Sequence, residues 1–156
     1  MFRGASLLNL DAKGRVAMPV RYRELLCVEN SSDARGKLVI TVDIISPCLL
    51  LYPLTEWRKV EDKLMALSDT QPAERALKRL LLGHAHELEL DANSRLLIPP
   101  ALRQYAQLDK QLTLVGQLNK LELWDQALWQ QQLEQDQQVI LNEPLAENIR
   151  LAEFSL

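Results

Sequence analysis

The sequence is poor in the residues that most often form metal, redox or catalytic sites. Of its 156 residues only two are cysteine, two are histidine and five are glycine. Cys27 and Cys48 form no C-x-x-C pair and no set of metal ligands, and we interpret them as buried thiols in a reducing cytoplasm. His84 and His86 stand two apart on a predicted strand, whereas a metal site needs three or four ligands. We therefore expect no metal and no cofactor.

Long apolar runs and catalytic motifs are also missing. No stretch approaches the ~20 apolar residues that a membrane-spanning helix needs. The apolar patch at residues 5–10 is too short for a signal peptide, and charged residues follow it at once. The glycines form no phosphate-binding loop and no nucleophile elbow. With 47% hydrophobic and 25% charged residues, the composition is that of an ordinary soluble globular protein. We expect neither an enzyme with a small-molecule substrate nor a membrane protein.

The chain does contain one motif written twice. Residues 8–19 read LNLDAKGRVAMP, and residues 87–99 read ELELDANSRLLIP. An aspartate and an arginine four residues apart are weak evidence alone. Here the pair recurs with an alternating stretch before it, an apolar run after it and a proline four residues on, which indicates an internal repeat. The equivalent residues, displaced by 80 positions, are Asp11 and Asp91, Arg15 and Arg95, and Pro19 and Pro99.

Each copy of the motif predicts a strand, a turn, a returning strand and a helix. Alternating polarity predicts the first strands at residues 6–10 and 86–90. The tetrads after them are rich in turn-forming residues. Proline then ends the returning strand and begins helices at residues 20–26 and 100–106. Because the aspartate and the arginine lie at the two ends of each turn, we predict that both pairs hold their hairpins together.

The rest of the two copies matches piece by piece. Apolar and β-branched runs predict further strands, at residues 37–43, 49–52, 111–115 and 121–124. Helical spacing predicts a helix after each of the last strands, with Thr55 and Asp125 as N-caps and with Trp57 and Trp129 at equivalent core positions. Residues 55–82 add a helical hairpin, whose second helix begins at Pro72. The tail after residue 142 is either a short docking segment or a loose end.

Positive charge is concentrated near the beginning of the chain. Residues 1–82 hold 13 lysines and arginines against 10 acidic residues, whereas residues 83–156 hold 5 against 11. A basic face on a protein of net charge −3 suits a phosphate backbone, although a solvated surface alone would explain it too. Residues 1–26 carry Arg3, Lys13, Arg15, Arg21 and Arg23 against two acidic residues.

The differences between the copies indicate which copy carries the functional face. Features common to both copies are interpreted as structural, and features of one copy as candidates for function. Arg3, Lys13 and Arg21 correspond to Gly83, Asn93 and Ala101, whereas Arg23 keeps its charge as Arg103. Arg15 either pairs with Asp11 or reaches a phosphate or a guanine edge, and we expect both roles. The predicted DNA-binding residues are Arg3, Lys13, Arg15, Arg21 and Arg23.

These motifs resemble those of the MraZ family, which belongs to the AbrB-like swapped-hairpin barrel group. The opening Met-Phe-Arg-Gly and both D-x-x-x-R runs match the family's hallmark stretches, up to about residue 142. The resemblance implies an α+β fold in which two tandem, pseudo-symmetric β-rich repeats form a barrel with peripheral helices. It also implies a bacterial transcriptional regulator that binds short direct repeats of double-stranded DNA as a cyclic homo-oligomer. Such a protein would be cytoplasmic and nucleoid-associated, and would act on its own division and cell-wall gene cluster.

The expected organisation assigns DNA binding to the first copy. It comprises a DNA-facing repeat (1–54), a helical connector (55–82), a second repeat (83–124) and a C-terminal helix with a tail (125–156). The leading hypothesis is a repressor that reads direct repeats through the first copies of several subunits in a ring. The alternative is a ring-forming scaffold with protein partners. Steep salt dependence of binding would favour the DNA-binding hypothesis, because cationic side chains that bind phosphates release the counterions condensed on DNA.

Overall fold

The computed structural model describes residues 1–28, 36–143 and 147–154, which form a mixture of strands and helices. In chain order the elements are β1 (Ala5–Asn9), β2 (Arg15–Ala17), α1 (Val20–Val28), β3 (Lys37–Val42), β4 (Leu49–Pro53), α2 (Leu54–Met65), α3 (Pro72–Gly83), β5 (His86–Glu89), β6 (Arg95–Leu97), α4 (Pro100–Tyr105), β7 (Gln111–Gln117), β8 (Lys120–Asp125), α5 (Gln126–Asn142) and α6 (Ile149–Ala152). The mixed α and β content agrees with the prediction. The predicted strands and helices are present, with ends that shift by one to three residues.

The two copies are interleaved in one antiparallel sheet of order β1-β7-β8-β4-β3-β5. The first strand of each copy pairs with the third strand of the other, so that Asn9 lies opposite Gln111 and Glu89 lies opposite Lys37. These two registers are equivalent. In the middle, β4 pairs with β8, and Leu50 lies opposite Glu122, its own counterpart in the second copy. A pseudo-two-fold axis therefore passes between β4 and β8.

The returning strands of the two hairpins pair with each other in a separate two-stranded ladder, β2 with β6. Val16 lies opposite Leu96 at its centre, and both are buried. The ladder is extended at both ends, where the backbone N–H of Met18 donates to the carbonyl of Ser94 and that of Ile98 donates to Gly14, each at 2.9 Å. Among the described strands β1 and β5 remain the edges of the larger sheet, so the predicted closed barrel is not confirmed.

Apolar side chains from both copies form one core. Alternate residues of the paired strands point inward, and the first helix of each copy adds Tyr22 and Leu102. Because the hydrophobic free energy scales with the apolar area removed from water, this shared core couples the folding of the two copies. The buried strand residues come in equivalent sets: Val16, Leu38, Ile40, Leu49 and Leu51 in the first copy, and Leu96, Leu112, Leu114, Leu121 and Leu123 in the second.

Proline sets the starts of the helices. The carbonyl of Pro19 accepts from Tyr22, and that of Pro99 accepts from Leu102, which closes the first turns of α1 and α4. Pro53 likewise precedes α2, with φ −53° and no side-chain cap. The prediction that Thr55 caps α2 is wrong, because the helix begins one residue earlier, at Leu54, and Thr55 lies inside its first turn.

Two further predictions about the helices need correction. Trp57 on α2 is buried, and its indole N–H donates to Glu61 at 2.7 Å, whereas Trp129 on α5 stays part exposed. The two tryptophans are therefore not equivalent core residues. His84 follows the end of α3 rather than lying on a strand, and its Nδ1 is 2.7 Å from the Leu80 carbonyl oxygen. His86 does lie on β5.

Residues 1–126 and 127–156 form two compact units. The first contains strands β1 to β8, and Cys48 is buried within it, while the side chain of Cys27 lies outside the described part. The second contains most of α5 and, beyond residues 144–146, the short helix α6, which Asn148 caps. The predicted tail falls partly on residues 144–146 and 155–156, outside the described residues. No helix in the described chain is long and apolar enough to cross a membrane.

Candidate nucleic-acid interface

Asp11 organises the first hairpin turn through both of its carboxylate oxygens. Oδ1 accepts from the backbone N–H groups of Lys13 (2.9 Å) and Arg15 (2.8 Å), and Oδ2 accepts from Arg15 Nε at 2.8 Å. The turn closes through the backbone, since Asp11 N donates to the Arg15 carbonyl and Gly14 N donates to that of Asp11. An aspartate that binds the backbone two residues on is a common turn device, and here it also orients a guanidinium.

The second turn repeats this geometry. Asp91 accepts from the backbone of Asn93 and Arg95 and from Arg95 Nε, each at 2.9 Å. The fourth residue of both turns is left-handed, with φ +81° at Gly14 and +58° at Ser94. In both turns the pKa of the aspartate is lowered, most strongly by the backbone N–H of the arginine. Burial acts in the opposite direction, and the arginine side chain and the backbone N–H of Lys13 or Asn93 lower the pKa further. The Asp–Arg pair is thus common to both copies.

Arg15 and Arg95 lie on the same face of the β2–β6 ladder. Arg15 pairs with Leu97 and Arg95 pairs with Ala17, while Val16 and Leu96 point the other way into the core. Both arginine side chains are part exposed, at 26% and 29%. In each ion pair the arginine bonds the aspartate through Nε, and no hydrogen bond joins its Nη atoms to another described residue. The orienting bond therefore leaves the donor fork available to an external acceptor.

Arg3 and Arg21 form a second basic group beside the first copy. The N-terminal arm is held on β7, since Phe2 exchanges two backbone hydrogen bonds with Leu118 and Gly116 N donates to the Gly4 carbonyl. Gly116 is required there, because a Cβ would lie 2.3 Å from the backbone nitrogen of Arg3. Arg3 itself is exposed.

Tyr22 links this arm to α1. Its hydroxyl donates to the carbonyls of Arg3 and Gly4, both at 2.9 Å, and accepts from Arg21 Nη2 at 2.9 Å. Arg21 also donates to Ser6 Oγ at 2.6 Å and stacks over the Tyr22 ring. The two arginines predicted to bind DNA here are therefore positioned together by one buried tyrosine.

The structure separates Arg23 from the other predicted residues. Its side chain is part buried, and Nη1 donates to Ser94 Oγ at 3.0 Å, in the turn of the second copy. Its counterpart Arg103 lies instead at the first turn, where a Cβ on Gly14 would be 2.6 Å from Arg103 Cζ. Each turn is thus contacted by an arginine of the other copy's helix. The sequence shows that both arginines exist, but only the exchanged pairing of β2 and β6 shows which turn each one reaches.

The arrangement suits anion binding rather than catalysis. The first turn carries Lys13 and Arg15 and has Arg103 beside Gly14, against the single carboxylate of Asp11, which leaves an excess of positive charge. Within the described residues no group of three or more histidine, cysteine, aspartate or glutamate side chains is placed to hold a metal ion. The basic side chains at the turn and beside it can donate to phosphate oxygens or to base edges.

Comparison with known proteins agrees with the duplication. A family model described as "MraZ protein, putative antitoxin-like" matches residues 1–80 and again residues 81–151. The chain is 65% and 67% identical, over 156 residues and the whole of both chains, to proteins of Shewanella amazonensis and Shewanella woodyi named "Transcriptional regulator MraZ". A protein of the same name from Shewanella pealeana is 66% identical over 158 residues, again with full coverage of both chains.

Proposed function

The chain belongs to the MraZ family, and from this premise we propose that it is a sequence-specific DNA-binding transcriptional regulator. The names of its relatives support transcription regulation, and they describe regulators rather than enzymes. The observation that carries the proposal is the basic first turn, where Arg15 keeps free donors and Lys13 is exposed. Arginine forks suit guanine edges, and lysines suit phosphates.

The proposed regulator represses its own division and cell-wall gene cluster at the nucleoid, as a ring of identical chains. Two interleaved but unlike copies give one chain unlike surfaces, and head-to-tail contacts between unlike surfaces close into rings when the rotation allows. In such a ring every first turn meets DNA in the same sense. Adjacent subunits would therefore read direct repeats, whereas a two-fold dimer would read a palindrome.

Several subunits would act together on the DNA. One turn neutralises only a few phosphates and binds weakly, whereas turns linked in one ring raise each other's effective concentration at neighbouring repeats. Single repeats should therefore bind poorly and tandem repeats well. The expected salt dependence is steep, since each phosphate contact releases counterions.

A ring-forming scaffold with protein partners is the second candidate. Exposed apolar side chains favour it, because Leu7, Ile45 and Leu97 are 72%, 88% and 55% exposed. Isolated exposed leucines are ordinary on soluble proteins, so this observation is the weaker one. A scaffold that binds through apolar contacts would show little dependence on salt.

The test is a footprint of the full chain on the region upstream of its own gene, followed by binding to duplexes with one, two or three of the protected repeats. Tight, salt-sensitive binding that appears only with tandem repeats is the expected result. Light scattering measures the oligomer in the same buffer. A chain that binds the upstream region no better than an unrelated duplex would overturn the proposed function.

A further inference from the structure

The arginines exchanged between the copies differ in what they bind. Arg23 of α1 reaches the second turn and donates to the Ser94 hydroxyl at 3.0 Å. Arg103 of α4 reaches the first turn, but Gly14 offers it no side chain. Within the described residues no side-chain hydrogen bond or ion pair involves Arg103. The Nε atoms of both arginines are buried without a partner, so the two differ in the bond that Arg23 makes through Nη1. The same place in the fold therefore holds an arginine with one side-chain hydrogen bond in the first copy and an arginine with none in the second.

An unpaired guanidinium at this position is costly. A buried donor without an acceptor loses its hydrogen bonds to water and gains none in return. Lys13 and Arg15 add like charge around the same turn, and the Asp11 carboxylate is already occupied by Arg15. A phosphate oxygen at the turn would supply negative charge and an acceptor for the Nη groups of Arg103, since Nε is buried but the side chain as a whole is part exposed.

We propose that Arg103, a residue of the second copy, binds a DNA phosphate at the first turn, and that Arg23 only positions the second turn. The proposal rests on the proposed DNA-binding function and reassigns one of its residues. Because Gly14 has no side chain, it leaves the space that the Arg103 guanidinium occupies; a side chain there would overlap the guanidinium. The first-copy DNA face is in this way completed by the second copy.

The test compares two equivalent substitutions, Arg103→Gln and Arg23→Gln, in the full chain. Binding to the tandem-repeat duplex and to an unrelated duplex is measured by fluorescence anisotropy over a range of salt, together with the thermal midpoint of each variant. A lost phosphate contact should weaken binding to both duplexes and lower the slope of log K against log salt by about one. Arg103→Gln should do this, whereas Arg23→Gln should lower the thermal midpoint and leave the slope unchanged.

Arg103→Lys separates charge from packing. It keeps the cation but loses the planar group at Gly14, so it should restore the native salt slope even if it melts as Arg103→Gln does. If the native chain binds DNA while Arg103→Gln keeps its slope, or if Arg23→Gln loses the slope instead, Arg103 is not the phosphate ligand. If the native chain itself shows neither specific nor salt-sensitive binding, the proposed function fails, and this assignment fails with it.

Discussion

The two hairpin turns share one backbone and differ in the side chains around it. Both have the Asp–Arg pair, the left-handed fourth residue and the following proline, and the hydrogen-bond lengths of the two pairs agree within 0.1 Å. Around this frame the first turn has Lys13 and Gly14 where the second has Asn93 and Ser94. The repeated residues build the ladder, and the residues that differ set the charge. Residues that the two copies share are thus those that the fold needs, and residues that differ are the candidates for the proposed binding.

The segments that lead into the two copies differ even more. The first copy is preceded by the N-terminal arm, which backbone hydrogen bonds of Phe2 and Gly4 hold on β7. The second copy is preceded by α3, whose Leu81 carbonyl accepts a hydrogen bond from Thr41 Oγ1 at 2.7 Å. The fold accepts either an extended arm or a helix before the first strand. Arg3 is therefore a feature of one copy, which agrees with the DNA-binding role proposed for it.

The largest expected difference between the turns is in DNA affinity. Arg15→Ala should weaken binding to the tandem-repeat duplex by about 1–3 kcal/mol for each engaged turn, because it removes a base or phosphate contact. Arg95→Ala should mainly lower the thermal midpoint. Anisotropy titrations and melting curves of both variants measure this. If Arg95→Ala abolished binding in a folded protein while Arg15→Ala bound normally, the DNA face would belong to the second copy.

The next difference is in stability. Gly14→Ala forces a Cβ into a left-handed residue at φ +81° and to 2.6 Å from Arg103 Cζ, so we expect a loss of about 1–2 kcal/mol. Ser94→Ala should cost roughly 0.5–1.5 kcal/mol, because position 94 already carries a Cβ at φ +58° and loses only the hydrogen bond from Arg23. Urea unfolding at one fixed protein concentration compares them. Equal losses would mean that Arg103 moves aside freely.

The sequence predicts the local structure of each hairpin well. It predicts poorly which elements of one copy pair with which elements of the other. Pro19 and Pro99 mark strand ends and helix starts, and Asp11 and Arg15 have a spacing that closes a turn, so these features follow from local chemistry. That Arg23 contacts Ser94 depends on β2 pairing with β6, a choice made by the shared core and not by any short stretch. Equal spacing after β4 and β8 predicts that Trp129 lies in the core as Trp57 does, but spacing alone does not show how deeply a helix residue is buried, and Trp129 stays part exposed.

Lys13→Ala, Arg21→Ala and Arg3→Ala should each have a smaller effect than Arg15→Ala. Each should weaken binding to all duplexes alike and lower the salt slope by about one, as loss of a phosphate contact does. Asn93→Ala is the matched control for Lys13→Ala and should leave the slope unchanged. Arg21→Ala also removes bonds to Ser6 and Tyr22, so its thermal midpoint is measured alongside. A drop confined to the tandem repeats would indicate base contacts instead.

The smallest expected effect is the pH dependence of stability that Asp11 and Asp91 confer, in which the two turns should not differ. Hydrogen bonds from Arg15 and Arg95 lower the pKa of Asp11 and Asp91 below the ordinary value of 3.8. A carboxylate whose pKa is depressed by folding stabilises the folded state above its unfolded pKa, and that stability is lost as the pH falls through the folded pKa. Both carboxylates are more than a third exposed, so solvent screens the interaction and keeps it small.

Asp11→Asn and Asp91→Asn should therefore behave alike. Each should unfold at a slightly lower temperature than the native chain at neutral pH. The gap should close below pH 3.8, where the native carboxylate is also becoming neutral. Comparing each variant with the native chain at every pH cancels the titration of the other acidic residues. If Asp11→Asn kept its gap in acid while Asp91→Asn lost it, the first pair would stabilise the turn through shape rather than charge, and the two turns would differ in their frame as well as in their neighbours.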